Sequence, residues 1–270
     1  MARVSGTYSR AGRGMALAAV VLGCSLAGCA APAKSDATQA AAPRGETDVQ
    51  RRVRIRLELA ASYFQAGKPA IALEEVGQVL AIDPSNGDAH HMRALAAMQM
   101  ADAEGAGASF RRALQLKPGD ADVMHNYGWL LCQQKQFDAA ERQFGQALAQ
   151  PQYRQQGKTL MAQGLCHAAA GRPGLAEAAL FKSYGYDAGN PLVSYHLAKL
   201  LHQRGDYQRA QFHIRRLNHS ELANSESLYL GIRVEQALGD RLAARQLAGQ
   251  LQQRFPDSRE WALYANGGES

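Results

Sequence analysis

Eight histidines, four cysteines and a single Gly-Lys-Thr triplet are the residues of this 270-residue chain that could do chemistry. Gly157-Lys158-Thr159 has the order that closes a phosphate-binding loop, where backbone N–H groups cradle phosphates and the lysine reaches them. Gln152 stands where the first glycine of such a loop is required, and no strand-like run precedes it. His90 and His91 are adjacent, hence about 100° apart on a helix, and His196 and His202 point to nearly opposite sides. There is no Gly-x-Ser-x-Gly elbow and no His-Glu-x-x-His helix. The histidines read as surface or packing residues, with no metal site. The expectation is a protein that is not an enzyme, with no cofactor and no small-molecule substrate.

The cysteines divide into two pairs with different settings. Cys24 and Cys29 belong to a start with Arg3, Arg10 and Arg13, an apolar run from Met15 to Leu26 and then small residues, which is the pattern of a secretory leader. That run is shorter than the about 20 apolar residues a membrane-spanning helix needs. Leu26-Ala27-Gly28-Cys29 resembles the bacterial lipobox, which implies cleavage after residue 28 and acylation of Cys29, so that lipid is the only prosthetic group expected. Two or more acyl chains anchor stably where one is marginal. Ala30 is not the aspartate associated with inner-membrane retention, so the resemblance points to the periplasmic face of the outer membrane. Losing residues 1–28 removes three arginines and no acids, and the net charge falls from +6 to +3. A nucleic-acid partner loses its electrostatic support and is not expected.

Residues 29–48 lack apolar periodicity and bulky groups, so they cannot offset their chain entropy and read as a lipidated flexible tether. From there residues repeat with a period of 34: Ala60, Ala94 and Gly128 align, as do Ala72, Ala106 and Ala140, and Val76, Phe110 and Phe144. Units fall at 53–86, 87–120 and 121–154, and, after Gln155 and Gln156 as two extra residues, at 157–190, 191–224 and 225–258. Small residues at fixed positions, with glycine at the turns Gly171, Gly205 and Gly239, resemble the tetratricopeptide repeat. The fold class expected for 49–270 is all-α: a right-handed superhelix of six helix-turn-helix units with a short C-terminal cap around Trp261, Leu263 and Tyr264. The family's early tryptophan is missing from every unit, and Ile232 replaces the small residue of the sixth.

Each helix pair has an apolar face it cannot cover alone, so neighbours stack and first helices line a concave groove. Counting places Leu57, Phe64, His91, Leu95, Met98, His125, Asn126, Trp129 and Gln133 on that groove. A large aromatic with one donor, Trp129, has the chemistry of a binding hot spot, or else it fills space against the next unit. The wetter end, with Tyr195, Lys199, His202, Tyr229 and Arg233, ranks second. Cys132 and Cys166 sit on neighbouring first helices; they form a disulfide if their Cα atoms come within about 7 Å, and are otherwise two buried thiols. The run Arg51 to Arg56 is a solvated basic face or a contact for acidic headgroups.

The leader, the alanine-rich tether, six repeats and the run Asn126-Tyr127-Gly128-Trp129-Leu130-Leu131-Cys132 together resemble the type IV pilus biogenesis lipoprotein family, the PilF/PilW pilotins. The resemblance implies binding of the pilus secretin and help with its localisation and multimerisation at the outer membrane. A lipid-anchored periplasmic scaffold for another envelope machine, a different pilus or cell-wall synthesis, would use the same parts.

Overall fold

A computed structural model describes residues 45–267. The leader 1–28, Cys29 and most of the 29–48 tether lie outside the described residues. Thirteen α-helices and no strand are found among the described residues. They pair as α1 (Asp48–Gln65) with α2 (Pro69–Ile82), α3 (Gly87–Gln99) with α4 (Ala103–Leu116), and α5 (Ala121–Gln133) with α6 (Phe137–Leu148). Then α7 (Gln156–Ala169) pairs with α8 (Pro173–Tyr186), α9 (Pro191–Gln203) with α10 (Tyr207–Asn218), and α11 (Ser225–Ala237) with α12 (Arg241–Arg254). A short α13 (Arg259–Ala265) packs on α11 and α12.

The boundaries follow from local chemistry. Thr47, Asn86, Asp120, Asn190 and Asn224 accept backbone N–H groups at the starts of α1, α3, α5, α9 and α11, satisfying donors that have no partner inside a helix. Pro69, Pro173 and Pro191 begin helices, where the missing N–H costs nothing. α1 begins at Asp48, so the tether ends one residue earlier than its composition suggests. Within each unit the turn needs one left-handed residue at the same repeat position: Gly67, Gly171, Gly205 and Gly239 have φ of +70 to +82°, while Ala101 and Lys135 take φ of +60° there.

Inside each pair a small residue on the first helix faces a larger one on the second. Gly128 shows why: a Cβ there would lie 2.8 Å from the Phe144 ring, and at Gly164 it would lie 2.6 Å from Leu180 Cγ. The sixth unit reverses this. Ile232 is fully buried, and the position that holds Phe144 or Leu180 in earlier units is Ala248 in the same core cluster. Exchanging large and small conserves volume, so the departure at Ile232 leaves the helix pair intact. Glu235 is buried in the same unit and is held by Arg215 at 2.6 Å and Gln211 at 2.7 Å, as a buried carboxylate requires.

Contacts recur between successive first helices, α1 with α3, α3 with α5, α5 with α7 and α9 with α11, and do not recur between successive second helices. First helices therefore crowd the inner side of the solenoid. The two extra residues do not break the stack: Tyr153, in the lengthened loop, packs with Ala121, Met124 and Ala147 and brings its hydroxyl 2.6 Å from Thr159 Oγ1.

Candidate protein-binding groove

The groove's front half is built from α1, α3 and α5. Leu57, Phe64, Leu95, Met98 and Trp129 are half-buried and packed against the core; Gln133 is exposed. Leu57 also lines a recess of 620 Å³ with Val49, Val53, Ala61 and Ile82. His91 and Asn126, on successive helices, are brought together, with Asn126 Nδ2 3.0 Å from His91 Nε2. For the amide to donate there, the ring nitrogen must accept and the imidazole be neutral. Burial, which lowers the His91 pKa from its ordinary value, favours that form. No group of three or more His, Cys, Asp or Glu side chains suited to a metal ion occurs among the described residues.

His125 does not join this surface. It lies at the helical angle counted for the groove, but α7 covers that face of α5, leaving the ring 5% exposed with Nδ1 2.9 Å from Thr159 Oγ1. It is a packing residue. Burial, and secondarily the Lys158 charge, push its pKa down to about 4. The unfolded chain therefore takes up a proton near pH 6.5 that the folded one refuses until about pH 4. The stability tied to this ring is complete above pH 6.5 and is lost as pH falls toward 4, by about 3 kcal/mol in total. Burial lowers the pKa of His91, His196, His202 and His213 in the same direction. Urea titrations at pH 7 and pH 4.5 are expected to show the loss, with His125→Gln reducing the difference between them. An unchanged difference would place the acid sensitivity elsewhere.

For Trp129 the space-filling role is seen directly. It packs with Tyr127 and Phe137 against the cluster of Leu131, Cys132, Phe144 and Cys166, and it remains half-buried. Beneath it Cys132 and Cys166 form a disulfide with Cα atoms 5.8 Å apart, tying α5 to α7 across the joint that carries the two extra residues.

The basic run at the start of α1 is largely neutralised. Glu46 holds Arg54 at 3.0 Å and Arg51 at 3.8 Å, Glu58 holds Arg54 at 2.9 Å, and Glu75 holds Arg56 at 2.7 Å. These pairs fit the reading of a solvated basic face.

At the other end of the groove, α9, α11 and α13 enclose a recess of 560 Å³ that includes Tyr195, Lys199, His202, Tyr229 and Arg233. The sequence ranked these residues second because they look too polar. The cap expected around Trp261, Leu263 and Tyr264 is α13: Trp261 and Tyr264 pack on the core, whereas Leu263 lines the recess with Arg259 and Glu260, two residues the sequence did not assign to it.

Tetratricopeptide-repeat family models match residues 57–121 and 97–164. The type IV pilus assembly protein PilF of Pseudomonas aeruginosa is 28% identical over 205 residues, covering 76% of this chain and 81% of that protein. The solved structure of Pseudomonas aeruginosa PilF aligns with a TM-score of 0.74 at 26% identity over 82% of this chain and all of that one. That of PilW, a widely conserved type IV pilus biogenesis factor, aligns with a TM-score of 0.72 at 30% identity, again over 82% of this chain and the whole of PilW. The chain belongs to the PilF/PilW family of tetratricopeptide-repeat proteins. As a PilF/PilW-family protein it shares the complete solenoid of those structures, not one repeat of it. In this member of the PilF/PilW family the groove is an apolar front half, backed by a disulfide, joined to a cationic end.

Proposed function

We propose that this tetratricopeptide-repeat protein of type IV pilus biogenesis is an outer-membrane lipoprotein, anchored on the periplasmic face through Cys29. It binds the pilus secretin in its concave groove and promotes secretin localisation and multimerisation. The observation that carries the reading is the extent of the likeness, which spans the whole of the solved PilF and PilW chains. The groove supports it: Leu57, Phe64, Leu95, Met98 and Trp129 form an apolar series with the amide of Asn126 among them. Such a surface suits side-chain anchors of a peptide segment.

No bond is made or broken in this function. The lipid fixes one end of the chain at the bilayer, the groove holds the client, and the tether keeps the two close. Capture thus raises the effective concentration of secretin subunits at the membrane where they assemble. Neither a cofactor nor nucleic acid enters this scheme.

A half-buried tryptophan in the front half of the groove should act as a hot spot. Trp129→Ala is expected to weaken secretin capture from detergent-solubilised membranes by about 2 kcal/mol or more, roughly thirtyfold. Retained capture at wild-type affinity would remove the front half of the groove from the contact.

A further inference from the structure

The outer side of the solenoid changes character half-way along. The outer helices of the first three units, α2, α4 and α6, present no large apolar side chain beyond 37% exposed. On the outer helices of the last three, Leu175, Phe181 and Tyr186 of α8, Phe212 of α10 and Leu242 of α12 are each 53% to 62% exposed. Lys182 is the one exposed charge on α8, which is otherwise apolar on every side, as buried helices are. Charge changes at the same place. α2 carries Glu74 and Glu75 and no base, and α6 carries Asp138 and Glu141 against Arg142. α10 and α12 contain no acid, and the one acid of α8, Glu177, is held by Arg204 at 2.6 Å and Arg209 at 3.2 Å. The other acids close in sequence, Asp187, Asp206, Glu221 and Asp240, stand beyond the helix ends. Lys182, Arg209, Arg216, Arg241 and Arg245 are exposed on these three helices. Cations alone do not make such a surface: α4 exposes Arg111 and Arg112 with no large apolar side chain beside them on that helix. Among the outer helices, the last three combine both features.

We propose that the outer face of α8, α10 and α12 lies against a bilayer that carries anionic headgroups. The combination of residue types selects that partner: cations settle among headgroup phosphates while phenyl and leucine side chains enter the boundary with the acyl chains. Phe212 has Arg209 and Arg216 one turn to either side, so a single contact uses both. A protein partner would need one close-packed apolar patch. Here successive outer helices make no recurring contact, and the apolar groups stand on separate ribs. A recess of 540 Å³ borders this face, lined by Leu148, Leu160, Lys182 and Tyr186, so that a cation stands beside apolar walls as a lipid headgroup and its chain require. So placed, the domain turns its groove of first helices away from the lipid and toward a client. The inference rests on the proposed Cys29 anchor only to bring the domain to a bilayer. The anchor holds the N-terminal end, and this face holds the C-terminal half.

The test uses the acylated protein reconstituted into vesicles of phosphatidylcholine, alone or mixed with phosphatidylglycerol, with bromine on the phosphatidylcholine acyl chains as a quencher of tryptophan. Phe212→Trp puts a reporter on the face, and Gln78→Trp puts one on α2 as a control. Quenching of the Phe212→Trp signal, above that of the wild-type tryptophans, is expected to be at least about twofold greater in the mixed vesicles. Gln78→Trp should show no such difference. Adding Lys182→Glu and Arg216→Glu to the reporter should abolish it, because each cation near an anionic bilayer favours contact about fivefold. Both residues are exposed, so this variant is expected to melt like the wild type, which guards against a folding artefact. Flotation with pure phosphatidylcholine vesicles reports the acyl anchor by itself, so loss of the anchor and loss of this contact are read apart. Equal quenching in the two lipids, none in either, or a difference that survives the charge reversals would overturn the proposal. So would a signal that follows protein concentration and not lipid composition, which would assign the face to a second copy of this chain.

Discussion

Phe144→Ala is expected to lower the free energy of unfolding by about 3–5 kcal/mol, toward the upper end of that range. The ring is fully buried and sits over Gly128, so closely that even a methyl group there would collide with it. A cavity costs most when its walls cannot relax, and on this side the wall is a helix backbone with no side chain to move in. The sixth unit supplies the remedy, since there Ile232 and Ala248 fill the same two positions in reverse. Gly128→Ile combined with Phe144→Ala should therefore recover more than half of the loss in urea denaturation. A double variant no more stable than Phe144→Ala alone would show that the two positions are not interchangeable, and that the packing rule across units is wrong.

Reduction of the Cys132–Cys166 disulfide is the second large effect. The bond closes a loop of 34 residues, and the chain-entropy account puts the stabilisation from such a closure at about 4 kcal/mol. In a solenoid each unit contacts only its neighbours, so the loss should fall on the joint it spans. Amide exchange in α5 to α8 is expected to quicken after reduction, or in the Cys132→Ala/Cys166→Ala variant, with α1 and α2 little changed. The comparison by denaturation with and without reductant gives the magnitude. Uniform loss along the array would argue that the solenoid unfolds as one unit and that the bond does not protect a weak joint.

The 34-residue period made the helices and turns legible, because small residues and glycines recur at positions where local geometry demands them. The residues that escaped were those whose environment comes from outside their own helix. Ile232 looks like a defect when its column is read alone, and is explained only by Ala248 sixteen residues on. His125 projects toward the groove on a helical wheel, yet α7 covers it through Thr159. The arginines of α1 read as a solvated face or a headgroup contact in the sequence, and their partners Glu46 and Glu75 come from outside the run. The packing of the cap on the last unit was legible, but not that Arg259, Glu260 and Leu263 would line a recess beside α11.

The most direct test of the functional account is the distribution of secretin between membranes in cells carrying Cys29→Ser. Loss of the anchor should leave the repeat domain folded but detached, with secretin multimers depleted from the outer-membrane fraction by about tenfold or more, on the scale of the lost effective concentration. Wild-type levels of outer-membrane secretin multimers in that variant would contradict the account.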